Sequence, residues 1–199
     1  MDYILGIDQS TQGTKALLFD NKGELICRTD LSHRQIVNGK GWVEHDGEEI
    51  YRNTVQAVKD LVEKAGIDKS RIAGLGISNQ RETAIAWNRE TGRPIYNAVV
   101  WQCARGAYIT DRVEQEGLAE MIRLRTGLKL SPYFSAAKLG WVMEHVPDAA
   151  PLAAEGKLCC GTMDSWLVWH LTGGRRPFKP RSRRSVHAGT SVCSRIVRR

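Results

Sequence analysis

The sequence has no cysteine pairing pattern. Its five cysteines, Cys27, Cys103, Cys159, Cys160 and Cys193, are odd in number and lack CxxC spacing. That excludes a disulfide scaffold or a thiolate zinc site and points to buried free thiols in a reducing compartment. His33, His45, His145, His170 and His187 are scattered, without metal-ligand spacing. No stretch approaches the roughly 20 apolar residues of a membrane helix. The first residues lack the basic and apolar regions of a secretory signal and run straight into a strand. A cytoplasmic protein without membrane attachment is expected. There is no GxxxxGK phosphate loop, and Gly74-Leu75-Gly76 is not a GxGxxG fingerprint. No Ser or Cys nucleophile constellation and no internal repeat stand out.

Acidic residues are missing from one region only. Residues 175–199 hold nine of the 29 Lys and Arg residues and none of the 22 Asp and Glu residues. Residues 1–174 therefore carry 20 basic against 22 acidic side chains. The formal charge of +7 belongs to the tail, and the body has the balance of an ordinary enzyme. At 42% hydrophobic and 26% charged, 199 residues suffice for one large domain with a core.

What is present begins at Tyr3. The apolar run to Ile7 ends in Asp8, a polar turn follows, and Ala16 to Phe19 is apolar again before Asp20. This is a hairpin whose turn carries Asp8, Ser10, Thr11, Gln12, Gly13, Thr14 and Lys15. Backbone N–H groups and hydroxyls in such a turn can cradle a phosphate, and Asp8 could hold Mg²⁺ directly or through water. An ordinary polar hairpin fits the same residues.

Glu24 to Ser32 reads as a third antiparallel strand and residues 33–47 as a loop. Ile50, Val55, Val58, Leu61 and Val62 space a helix over Glu48 to Lys64, ended by Gly66. Strands are predicted at Ile72–Ser78, Thr83–Trp87, Pro94–Trp101 and Leu158–Gly161. Helices are predicted at 107–125, 135–145, 148–155 and 164–171. The order gives a mixed α/β domain over 1–174. From 175 the Arg-rich chain has no periodicity, and disorder is expected there.

Three further segments carry candidate chemistry. Ser78-Asn79-Gln80-Arg81-Glu82-Thr83 follows a buried strand, where α/β proteins place ligand groups. Arg81 and Glu82 offer a fork of donors beside an acceptor, which suits a small polyol; a solvated turn with a surface ion pair is the plain alternative. Trp101-Gln102 ends an apolar strand and could wall a sugar site, or be core. Tyr133, within Ser131-Pro132-Tyr133-Phe134-Ser135, could lend a phenol hydroxyl, or the segment could simply enter a helix with Ser135 as N-cap.

Taken in order, these pieces resemble the FGGY carbohydrate kinases, and within them the glycerol kinase branch. The resemblance rests on Gly6-Ile7-Asp8-Gln9, Gly41-Trp42-Val43-Glu44-His45-Asp46, Asn79-Gln80-Arg81-Glu82-Thr83 and Gly92-Arg93-Pro94-Ile95-Tyr96-Asn97. It continues through Val100-Trp101-Gln102, Pro132-Tyr133-Phe134-Ser135-Ala136, Lys138-Leu139 and Gly161-Thr162 with Asp164-Ser165-Trp166-Leu167. It implies an actin-like ATPase, ribonuclease-H-like fold with a mixed sheet and flanking helices. It also implies Mg²⁺- and ATP-dependent phosphorylation of glycerol or a related polyol or sugar. By position, Arg81, Glu82, Trp101 and Tyr133 would contact the substrate. Thr11, Gln12, Gly13 and Lys15 would face the nucleotide phosphates, and Asp8 would serve the metal. Phosphoryl transfer is mainly positioning and charge neutralisation, which such a turn can supply.

The chain departs from that pattern at three places. The glycerol branch typically reads Asp-Gln-Gly-Thr-Thr-Ser-Ser-Arg where this chain has Asp8-Gln9-Ser10-Thr11-Gln12-Gly13-Thr14-Lys15, so Lys15 keeps the charge without the guanidinium fork. Cys103 stands where the family usually carries Asp. Family members are longer, with a later segment that supplies the catalytic base and the adenosine-binding half. No catalytic residue is thus expected within this chain, which alone should turn over little substrate. The tail after Gly174 does not match the family, and a frameshifted or truncated reading frame is expected there. Two rival readings are a non-catalytic polyol-binding remnant and a basic tail that binds RNA; the latter lacks interleaved aromatics. The full-length family allows an oligomer.

Overall fold

Period-two alternation builds the first sheet. The computed structural model describes residues 2–174 and 197–198 of the chain. Leu5, Ile7 and Gln9 of β1 (Tyr3–Gln9) and Thr14, Ala16 and Leu18 of β2 (Gly13–Phe19) are buried on alternate positions. β3 (Leu25–Ser32) completes the expected antiparallel meander.

The described residues fall into two compact units. Among the described residues, the first is built from 2–34 and Glu48–Gln80 with a short strand at 197–198, the second from Gln35–Gly47 and 81–174. The described residues hold two sheets, each with a core cluster of its own.

In the first unit, β6 (Ile72–Asn79) lies parallel to β1, making a mixed sheet. Helix α1 (Gly47–Ala65) buries Ile50, Thr54, Ala57 and Leu61, one face of a 3.6-residue period. Ala57 and Leu61 join Leu5, Ala16 and Leu18 in the core. Gly66 follows the helix at φ +60°, a left-handed stop that glycine tolerates. The expected disorder of the tail concerns residues outside the described ones except at one place. There Val197–Arg198, β10, pairs antiparallel with the far edge of β6, whose backbone groups otherwise lack a strand partner.

The second unit holds β4 (Ile36–Val37), β5 (Val43–His45), β7 (Ala84–Asn88), β8 (Ala98–Val99) and β9 (Leu158–Thr162). Their order is β4-β5-β8-β7-β9, all antiparallel. The helices are α2 (Ala107–Gln115), α3 (Ala119–Thr126), α4 (Ser135–His145), α5 (Ala149–Ala154) and α6 (Met163–Leu171). Trp141 and Val142 of α4 pack with Val43, Ala86, Val99 and Val100. Trp166 of α6 is fully buried against Trp87, its ring N–H donating to the Gly47 carbonyl at 3.1 Å.

Four sequence expectations change. The loop over 33–47 contains β4, which pairs with β5, and β5, which pairs with distant Val99 and Ala98, a contact no local pattern reveals. The strand over Pro94–Trp101 shrinks to Ala98–Val99; Pro94 has no N–H to extend a ladder and makes only an isolated bridge to Trp87. The helix over 107–125 breaks at Gly117, φ +74°. Of the described cysteines, all free, only Cys103 is buried.

Candidate functional site

Each unit presents one group of the predicted residues. In the first unit these are the residues of the β1–β2 turn. The Ser10 N–H donates to the Gly13 carbonyl at 2.8 Å, and the Ser10 hydroxyl to the same oxygen at 3.0 Å. Asp8 and Lys15 sit opposite each other in the ladder, with Nζ 3.2 Å from the carboxylate and both side chains over one-third exposed. Thr11 is partly exposed and Gln12 exposed at the tip. The turn is thus a solvent-facing set of polar groups beside an ammonium, an arrangement suited to anions.

Three residues that were not singled out as site residues brace this turn. Gln9 is fully buried; its amide donates to the Ser10 carbonyl at 2.8 Å and accepts from the Gln80 amide at 3.1 Å. Gln80 directly follows β6, so the turn is tied to the end of the neighbouring parallel strand. His33 is buried and hydrogen-bonded to the Thr11 backbone; burial lowers its imidazole pKa, against an opposing pull from Glu49. The signal for Gln9 was its parity with Leu5 and Ile7.

Gly13 has a packing reason of its own. A Cβ there would lie 2.5 Å from the Leu31 carbonyl oxygen on β3. Gly13→Ala should therefore cost about 1–3 kcal/mol of stability as the β2–β3 contact is forced apart. Thermal unfolding of the variant checks this; an unchanged midpoint would leave the glycine without a packing role.

The second unit carries Arg81, Glu82, Trp101 and Tyr133. The Thr83 N–H donates to the Arg81 carbonyl at 2.8 Å, closing a three-residue turn around Glu82. Glu82 sits at φ +65°, the one non-glycine residue at positive φ among those described. A γ-turn of this hand is rare and strained, costing on the order of 1–3 kcal/mol. The Glu82 side chain is buried, 4% exposed, and its carboxylate accepts from the Ser135 N–H at 3.3 Å. The Ser135 hydroxyl donates to the Glu82 carbonyl at 3.1 Å. Burial pushes the Glu82 carboxyl above its usual range, partly offset by Ser135, Lys138 and Arg81. Arg81 itself is exposed.

Trp101 and Tyr133 meet edge to face, centroids 5.9 Å apart. The Trp101 backbone N–H donates to the Thr83 hydroxyl at 3.2 Å, which ties the Trp101 main chain to the residue after Glu82. Tyr133 is two residues before Ser135 and is 42% exposed. The three residues Glu82, Trp101 and Tyr133 thus share one network. The expectation that Ser135 caps α4 is corrected: Phe134 holds the cap position, and the Ser135 hydroxyl is spent on Glu82.

Fully buried Lys138, one turn into α4, was not singled out as a site residue. Its ammonium donates to the carbonyls of Pro132 (2.9 Å), Tyr133 and Phe134 (3.4 Å). Burial lowers its pKa to about 8. A second buried cation, Arg105, lies between Trp42 and Trp141, 4.6 and 4.7 Å from their centroids, and pairs with Glu44 at 2.7 Å. Burial alone would raise the Glu44 carboxyl, but hydrogen bonds from Asn97, Tyr96 and Arg105 outweigh it and hold it below its ordinary value.

Residues 3–180 match the FGGY family of carbohydrate kinases, N-terminal domain. The chain belongs to this family. The FGGY domain is 48% identical over 172 residues to glycerol kinase 1 of Thermotoga maritima, covering 86% of this chain and 35% of that protein. Among solved structures, Plasmodium falciparum glycerol kinase with ADP superposes with a TM-score of 0.80 at 35% identity, covering 87% of this chain and 35% of that one. Ligand-bound xylulose kinase from Lactobacillus acidophilus gives 0.74 at 22% identity over 85% of this chain and 33% of that one, a likeness of fold. The mixed sheet with flanking helices is that of the actin-like ATPase fold. The FGGY chain spans about a third of the length of the curated relatives it matches. Among the described residues, no helix is long and apolar enough to cross a membrane.

Proposed function

We propose that this FGGY domain serves an ATP-dependent polyol kinase whose substrate is glycerol: ATP + glycerol → ADP + glycerol 3-phosphate. The observation that carries the reading is Glu82, a carboxylate held buried on a strained turn beside exposed Arg81 and the Trp101–Tyr133 pair. Strain of this kind concentrates at functional sites. A polyol hydroxyl both donates and accepts, so Glu82 would take its proton side and Arg81 its lone pairs, while the rings flank the carbon chain. The relatives matched over this segment include glycerol kinases, which points to glycerol among the family's substrates.

In the first unit, Lys15 and the Thr11-Gln12-Gly13 tip would meet the nucleotide phosphates. Asp8 would serve Mg²⁺. Among the described residues no cluster of three His, Cys, Asp or Glu side chains is arranged as a closed metal cage. One partly exposed carboxylate fits Mg²⁺, which keeps several waters and binds through one or two carboxylates plus substrate phosphates. Bound there, it would neutralise phosphate charge as the bridging oxygen departs. Lys15 already neutralises Asp8, so metal and lysine would share that carboxylate. We assign no proton acceptor among these residues, and we place the protein in the cytoplasm, where ATP is available.

Calorimetric titration of the 199-residue chain with glycerol tests the reading. Saturable binding is expected, weakened about 10-fold or more in Arg81→Ala, since a hydrogen bond to a charged group contributes about 1.5–3 kcal/mol. Equal affinity of both proteins would remove Arg81 from the site, and absence of binding would sink the polyol reading for this chain.

A further inference from the structure

Lys138 is an unusual choice for the inner face of α4. Its neighbours on that face, Ala137, Trp141 and Val142, are apolar core residues. A buried ammonium costs several kcal/mol to desolvate, and no carboxylate among the described residues pairs with it directly. Instead its three N–H donors meet three consecutive carbonyls, those of Pro132, Tyr133 and Phe134. Each donor thus has an acceptor, and three successive carbonyls at the entry to α4 converge on one ammonium.

The segment so fastened is the one that faces the candidate site. The Tyr133 N–H donates to the Ser131 hydroxyl at 3.2 Å, the Phe134 N–H to the Ser131 carbonyl at 3.3 Å, and the Ser135 N–H to the Glu82 carboxylate. Tyr133 projects its ring to Trp101. Ser135 contacts Glu82 at both its carbonyl and its carboxylate.

We propose that Lys138 is a positioning residue for the polyol site: its ammonium locks the 132–134 backbone, setting Tyr133 against Trp101 and seating Ser135 on strained Glu82. The proposal rests on the polyol reading for what is positioned, not for the clamp itself. Methionine at 138 fills similar volume but removes the donor that the three carbonyls share. Arginine presents a planar fork that does not converge on three adjacent oxygens. A neutral lysine keeps two N–H groups for three acceptors, so the clamp is complete only while Lys138 is protonated. The groups that act on its charge are Glu82 on the γ-turn and Cys103 after β8, with the Tyr133 ring centroid 6.0 Å away.

The test uses the 199-residue chain, wild type and Lys138→Met, in two measurements. Amide hydrogen exchange without ligand should show residues 133–135 exchanging at least tenfold faster in Lys138→Met, with β7 and β8 unchanged. Calorimetry with glycerol should show at least a tenfold loss of affinity. Unchanged exchange at 133–135 overturns the clamp; faster exchange with unchanged glycerol affinity overturns its role in the site. If the wild type does not bind glycerol, the polyol reading fails and the clamp is judged by exchange alone. If Lys138→Met does not fold, the wild type decides. Its exchange at 133–135 should accelerate beyond the intrinsic base-catalysed rise as pH passes about 8, and keep doing so in Cys103→Ser. A rise no greater than that of β7 overturns the proposal.

Discussion

Arg105→Met should destabilise the second unit by about 3–5 kcal/mol, a fall in unfolding midpoint of about 6–20 °C for a chain of this size. Methionine can occupy the slot between Trp42 and Trp141 and keep much of the apolar contact. It cannot neutralise Glu44, whose carboxylate is nearly inaccessible and would retain only the Tyr96 hydroxyl and the Asn97 amide as donors. An uncompensated buried charge is what makes breaking such a pair costly. The double variant Glu44→Gln with Arg105→Met removes both charges and should recover a large part of the loss, since the two residues are directly coupled. Thermal unfolding followed by tryptophan fluorescence reads both. A double variant as unstable as the single one would mean that lost packing, not the orphaned charge, sets the cost. The pH dependence has a defined sign. Glu44 is held below the ordinary carboxylate value, so its contribution is present above that value and fades as pH falls through its own lower one.

Glu82→Gln should behave in the opposite way, becoming more stable while losing ligand. Burial raises the Glu82 carboxyl, so the folded state binds its proton more tightly than the unfolded chain does. Between the two pKa values stability falls as pH rises, and above both the ionised group carries its full cost. The amide carries no charge to desolvate. Its midpoint should therefore exceed that of the wild type at pH 7 and converge with it on acidification. Glycerol affinity should meanwhile drop about 10- to 150-fold, the value of about 1.5–3 kcal/mol for a hydrogen bond to a charged acceptor. Loss of stability in Glu82→Gln at pH 7 would show that the carboxylate is a structural acceptor for Ser135 rather than a ligand group held at a cost to the fold.

The phosphate-facing turn was legible because a period of two is a strong local signal. Leu5, Ile7, Ala16 and Leu18 announce the hairpin, and the polar residues between them can only be its turn. Helix α1 was legible for the same kind of reason. The split into two units was not, because β5 finds its partner more than fifty residues away at β8, and pairing over that distance leaves no trace in local sequence. Glu82 was singled out for its chemistry, yet its positive φ was hidden: glycine advertises such a conformation and glutamate does not. Lys138 entered only through the family resemblance and was given no role, because lysine in a helix reads as a solvated residue, although Phe134, Trp141 and Val142 mark its face as inward. The segment before α4 shows the same limit. Ser135 has the chemistry of a cap, and only the fold reveals that a strained turn elsewhere in the unit claims its hydroxyl.

The bond between Gln9 and Gln80 has a consequence for how the molecule responds to its medium. It joins two uncharged amides, both shielded from water, so neither acidity nor added salt has a handle on it. The strand ends that carry the phosphate-facing turn are therefore braced by a fitting indifferent to solution conditions. Around Glu82 the braces are ionisable, and alkali or acid changes the number of protons available to hold them. Titration should thus blunt recognition of the alcohol while leaving the Gln9–Gln80 tie in place, His33 being the brace of the anion-facing turn that protons can reach.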